Sequence, residues 1–214
     1  MSRMNGPREV LVLVEGPTEE AMIKRVLAPA AFNEGLILIP SPVITSKTAQ
    51  GTHRGGGAWK HYDERLKDMF KATHFTKIAL LIDYYKYPSN APGASGDPDE
   101  CERALVEDYP DHRFRPHVVM HEIEALVLAA IAAGYGDERF DKVRLRHLRQ
   151  VIERAGGPEK VNNGEATAPS KRLKILDPAY GKIAVGPELV AEAGLGAVLE
   201  QCPRFATWWE ELLS

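Results

Sequence analysis

The sequence predicts an α/β fold, a mostly parallel sheet flanked by helices, followed by a helical carboxyl-terminal section. Strand-like and helix-like segments alternate through residues 1–135, the pattern of a parallel sheet, and residues 136–214 form a helical extension expected to pack on that core. Val10-Leu11-Val12-Leu13-Val14 and Ile78-Ala79-Leu80-Leu81-Ile82 are unbroken apolar runs of strand length, as strands buried on both faces require. Both runs end in acid, at Glu15 and Asp83, and Phe114 to Met120 is a third strand that delivers His121 and Glu122 to a helical stretch. Open α/β sheets place ligands outside the carboxyl ends of their strands, so parallel pairing would gather the three carboxylates on one rim.

After the first strand, Gly16-Pro17 turns the chain and Thr18 can cap a helix with Glu19 and Glu20 in its first turn and Ala21, Ile23, Val26 and Leu27 on its apolar face. Leu36 to Ile39 and Val43-Ile44 read as a second strand interrupted by Pro40 and Pro42, which suits a sheet edge. A glycine-rich basic loop is expected from Thr45 to Gly57. Trp59, Tyr62, Leu66, Met69 and Phe70 then have the spacing of an amphipathic helix within Ala58 to Lys71. The Tyr84 to Pro98 segment, rich in Pro, Gly, Ser and Asn, is long for a connection and reads as a functional loop ahead of a helix from Asp99 to Val106.

Ile123 to Ala133 is strongly helical and is stopped by Gly134-Tyr135-Gly136. Two or three further helices are expected, including a basic amphipathic one from Lys142 to Ala155, and helical stretches at Val185 to Leu199 and Arg204 to Leu213.

Composition narrows the function classes. With 214 residues and 44% hydrophobic content the chain can bury a full core. Its net charge of −3 sets up no global positive field, which leaves nucleic-acid contacts to local patches. Cys101 and Cys202 form no C-x-x-C pair, which argues against zinc and a disulfide scaffold and for a reducing cytoplasm. The amino terminus lacks the features of a signal peptide, and no apolar stretch is long enough to span a bilayer, so no membrane association is expected. Neither a Walker A loop nor G-x-G-x-x-G follows the first strand.

Val14-Glu15-Gly16-Pro17-Thr18-Glu19, with Asp83 after a later strand, resembles the TOPRIM domain of topoisomerases, bacterial primases and overcoming-lysogenization-defect nucleases. A closer resemblance is to a TOPRIM-like family, domain of unknown function 4276. It rests on Asp83-Tyr84-Tyr85, His121-Glu122-Ile123-Glu124-Ala125, Asn163-Gly164-Glu165, Ala168-Pro169-Ser170-Lys171-Arg172 and Cys202-Pro203-Arg204-Phe205, and covers nearly the whole chain. The resemblance implies a Rossmann-like TOPRIM core and phosphoryl transfer on nucleic acid. It also implies Mg2+ or Mn2+ held by a glutamate after the first strand, here Glu15, and by an Asp-x-Asp pair whose first member is Asp83. Tyr85 stands where the second aspartate is expected, and Glu122 is the nearest candidate to replace it. The resemblance further implies an SMC-like or ABC-type ATPase partner of the kind encoded in two-gene phage-defence systems. A homodimer is compatible with the sequence.

The expected function is therefore Mg-dependent hydrolysis of a nucleic-acid phosphodiester, with Glu15, Asp83 and Glu122 catalytic and metal-binding. Lys171 and Arg172 sit at a helix start, where cations oppose the dipole unless an anion joins them. With Lys47, His53 and Arg54 of the glycine-rich loop they are the candidate phosphate grips. His121 can orient a ligand or serve structure, Glu19 and Glu20 can simply complement the helix dipole, and Tyr84, Tyr85 and Tyr87 can stack a base or pack beneath their loop. Two alternatives stay open: a non-catalytic nucleic-acid-binding or regulatory subunit of the ATPase with an incomplete metal site, and a small-nucleotide hydrolase or sensor lidded by the Tyr84 to Pro98 loop.

Overall fold

The structure, a computed structural model, describes residues 8–48, 51–54, 58–161 and 164–214. β1 (Arg8–Val14) leads through α1 (Pro17–Met22), a π-helical stretch Ile23–Leu27 and α2 (Ala28–Asn33) into β2 (Leu36–Pro42). β3 (Ile44–Thr48) and β4 (Gly51–Arg54) follow, then α3 (Trp59–Phe70), β5 (Lys77–Asp83), α4 (Pro98–Asp108), β6 (Phe114–Val119) and α5 (Ala125–Ala132). The chain ends in α6 (Lys142–Ala155), a 3-10 turn Pro158–Lys160, α7 (Pro169–Leu176), α8 (Val185–Ala193), α9 (Leu195–Gln201) and α10 (Pro203–Leu213).

Four strands form a wholly parallel sheet in the order β2-β1-β5-β6, with Val14 opposite both Pro42 and Leu81 and with Asp83 opposite Val119. The proline-bearing β2 is an edge strand, where a missing N–H costs no ladder bond. Alternation along β1 divides the core. Val10, Val12 and Val14 pack with α1, α5 and the carboxyl-terminal helices, while Leu11 and Leu13 join Tyr62 and Leu66 of α3 and Leu105 of α4. Helices on both faces explain why the central strands read as continuous apolar runs. α5 is buried at every position from Ala125 to Ile131, so it lacks a polar stripe and lies between the sheet and the later helices.

Two expectations change. The segment expected as a basic loop, Thr45 to Gly57, instead holds the antiparallel β3/β4 pair, favoured by β-branched Ile44, Thr45, Thr48 and Thr52, while Gly55 to Gly57 lie outside the described residues. Val185 to Leu199 is two helices, broken where Gly194 adopts φ +79°, and the described residues after α5 contain five α-helices instead of two or three.

The expected Tyr84 to Pro98 loop is irregular as far as Asp97, with Pro98 opening α4, and tyrosines hold it down. Tyr84 donates to the Gly96 carbonyl and Tyr87 to that of Pro92, both at 3.0 Å. Gly93 has φ +70°, and a Cβ there would stand 2.7 Å from Cys101 Cα. Gly93→Ala is therefore expected to destabilise the chain by roughly 2–3 kcal/mol, read as a lower urea midpoint, because left-handed strain and a backbone clash add. An unchanged midpoint would mean that the loop can rearrange freely.

Candidate active site

β1 connects to β2 on one side, while β5 lies on its other side, so the order in which strands are added across the parallel sheet reverses between β1 and β5. That switch point opens a crevice outside the carboxyl ends of the two strands. Glu15 follows β1 directly and is partly accessible, and among the described residues none donates a hydrogen bond to its carboxylate. Behind it, Glu19 Oε2 accepts the Gly16 N–H at 2.8 Å, closing the first turn of α1 with Pro17 at its first position. Glu19 thus serves as a cap, yet it is buried at the crevice, whereas Glu20 pairs with Lys24 at 2.6 Å, away from that role.

Asp83 ends β5. Its Oδ1 accepts the Ile123 N–H at 2.9 Å, leaving Oδ2 without a donor among the described residues. Tyr85 N–H donates to the His121 carbonyl at 2.7 Å, tying the segment after β5 to the turn after β6. His121 has φ +72° and Lys86 φ +63°, and these are the non-glycine positive-φ residues among those described. Such conformations cost of order 1–3 kcal/mol and persist where surrounding structure imposes them, commonly at working sites.

Glu122 is buried and seated on the amino terminus of α7. Ser170 donates its N–H to Oε2 at 2.8 Å and its hydroxyl to Oε1 at 2.9 Å. The anion expected beside Lys171 and Arg172 is thus supplied by the protein itself, which offsets the placement of two cations at a helix start. Lys171 is exposed, and Arg172 donates through Nε to the Thr167 carbonyl at 3.2 Å, lining a groove between α6 and α7. The same device recurs at Cys202-Pro203-Arg204-Phe205. There buried Glu159 accepts the N–H groups of Arg204 and Phe205 at 3.2 and 3.0 Å, so that motif is a helix cap.

The family model described as Domain of unknown function (DUF4276) matches residues 14–213. The chain belongs to this family. No curated protein and no solved structure matches it. The DUF4276 region therefore begins one residue before Glu15 and takes in the crevice together with the helices that wall it.

Within the DUF4276 crevice the structure brings Glu15, Glu19, Asp83 and Glu122 into electrostatic contact and adds two residues that the sequence reading missed, Glu124 and Lys182. Glu124 was legible as an acid interrupting an apolar helix. Lys182 carried no local signal, because only the fold returns the α7–α8 connection to the sheet. Lys182 Nζ lies 2.8 Å from Glu124 Oε1 and 3.8 Å from Glu122 Oε1. The side chains of Lys47, His53 and Arg54, the remaining expected phosphate grips, lie outside the described residues, as does Asn163.

Crowding shifts the acids upward. Burial first, then Glu19, pushes the Glu15 carboxyl from 4.5 to about 7, with Glu122 adding and Lys182 and Lys86 opposing. Burial is also the leading cause of the upward shifts of Glu19, Asp83 and Glu124. Lys182 resists its own desolvation because Glu124 above all holds it charged. Burial lowers the proton affinity of His121, with Glu122 opposing.

A carboxyl raised in the folded state binds protons more tightly there than in the unfolded chain. Its contribution to stability is full below about pH 4.5 and is lost as pH rises toward about 7. For metal-free protein we expect stability to fall by about 1–3 kcal/mol across that window from Glu15, discounted for its partial exposure. Thermal melts between pH 5 and 7.5 test this, and a melting temperature that climbs over the same range would contradict the burial assigned to these acids.

Among the described residues no three side chains of histidine, cysteine or carboxylate type are already drawn to metal-ligand spacing. The donor chemistry nevertheless fits a hard divalent cation. The acidic ligands on offer are hard carboxylate oxygens, and Glu15 and Asp83 Oδ2 have no competing protein donor among the described residues.

Proposed function

We propose that this chain is a Mg2+- or Mn2+-dependent nuclease of TOPRIM-like type, hydrolysing a phosphodiester of nucleic acid. The observation that carries the reading is the pairing of Glu15 and Asp83 across the switch-point crevice, with carboxylate oxygens unclaimed by described donors in a site of surplus negative charge. A divalent ion held by Glu15 and Asp83 would supply Lewis acidity toward a phosphate oxygen and lower the proton affinity of water.

The remaining work falls to the chain's own side chains. Glu15, as a ligand with one carboxylate oxygen, can accept a proton from the attacking water with the other. Asp83 is oriented by the Ile123 N–H, and Glu122 keeps its remaining lone pairs beside the crevice while fixing α7. α6 and α7 together carry eight lysines and arginines against one acid, Glu153, in a chain of net charge −3, and exposed Lys171 lies on that surface. Such a patch beside the crevice suits a polyanion backbone. An SMC-like or ABC-type ATPase partner and a role in phage defence accompany this reading through the family resemblance, and a cytoplasmic setting through the two unpaired cysteines.

Incubation of the chain, alone and with such an ATPase, with labelled DNA and RNA and Mn2+ or Mg2+ is expected to give cleavage that EDTA stops. Intact substrates under every combination would favour a non-catalytic subunit. Tyr85 at the second acid position and the engagement of Glu122 by Ser170 are the observations on that side.

A further inference from the structure

Five carboxylates, Glu15, Glu19, Asp83, Glu122 and Glu124, act on one another in the crevice, and Lys182 is the cation placed directly among them. Glu124 is 1% exposed, and neither of its oxygens receives a well-directed hydrogen bond from the described residues, so the 2.8 Å approach of Lys182 acts as a point-charge contact. Nearby Tyr180, also 1% exposed, anchors the Lys182 segment while its hydroxyl finds no partner among the described residues. A buried acid with unsatisfied oxygens would be untenable without its counter-charge. The Lys182 side chain remains 43% exposed, so the ammonium reaches in from the solvent side and is not locked in the core.

We infer that the Lys182 ammonium is a built-in cation filling the place of a second divalent ion: it neutralises Glu124 and Glu122 and leaves Glu15 and Asp83 to a single metal. This rests on the metal-dependent reading above. It assigns Glu124 and Lys182 a shared role, in which removing the ammonium exposes a second all-oxygen cation site.

The test is the number of Mn2+ ions bound at pH 7.5, read by titration calorimetry and by the spin-resonance signal of free Mn2+. One ion is expected for the native chain and for Lys182→Arg, two for Lys182→Met, and one again for Lys182→Met combined with Glu124→Gln. The double variant, which lacks both charges, also guards against a single variant that fails to fold. Two ions on the native chain, an unchanged count in a folded Lys182→Met chain, or two ions on the double variant would each overturn the inference while leaving the metal reading standing. No ion on the native chain but one on Lys182→Met would overturn the inference, which needs a metal at Glu15 and Asp83, together with the metal reading of the native chain. No ion on either would overturn both.

Discussion

Glu15→Gln is expected to reduce phosphodiester cleavage by roughly 10²- to 10⁴-fold, the range for loss of a positioned general base. The substitution keeps shape and volume and breaks no hydrogen bond from a described residue. It also removes one of several mutually repelling acids, so the variant should melt at or above the native temperature at pH 7.5. That combination, activity lost and stability kept, separates a chemical role from a packing role. In the metal-free site Glu15 holds its proton up to about pH 7, so divalent-ion binding by the native chain should weaken as pH falls below 7, and that pH dependence should be lost with Glu15→Gln. Undiminished cleavage by Glu15→Gln would remove Glu15 from the chemistry.

Glu122→Ala is expected to act mainly through stability. Glu122 is 4% exposed, and its carboxylate accepts both the N–H and the hydroxyl of Ser170, itself 4% exposed. Truncation would orphan two buried donors at the start of α7 and leave a void, costing roughly 3–5 kcal/mol, which for a chain of this length lowers the melting temperature by roughly 6–20 °C. Glu122→Gln retains an acceptor and should lose about half as much. Chemical denaturation in EDTA isolates the effect from metal binding. A Glu122→Ala chain as stable as the native one would show that Glu122 is held for ligation and not for the α7 cap.

Much of this architecture was readable from local pattern. Continuous apolar runs marked β1 and β5 because strands covered on both faces need no polar alternation, and Pro40 and Pro42 marked β2 as an edge. The limits of α6 at Lys142 and Ala155 followed from amphipathic period and the Gly156 stop. The convergence of Glu15, Asp83 and Glu122 followed from parallel pairing alone. What resisted reading was long-range. The seat of Glu122 on α7 joins residues 48 apart, and Lys182 reaches Glu124 across a comparable span, so neither partner can be found without the fold. The glycines and cations of residues 45–57 outweighed the β-branched signal of β3 and β4, and single-residue Gly194 divided what periodicity presented as one helix.

The central claim is that Glu15 and Asp83 together hold a divalent cation. Titration calorimetry of the native chain, Glu15→Gln and Asp83→Asn with Mg2+ and Mn2+ tests it most directly. Binding by the native chain that both substitutions abolish is the predicted result. Absence of binding to the native chain, even with an oligonucleotide present, or binding that persists in both variants, would contradict it.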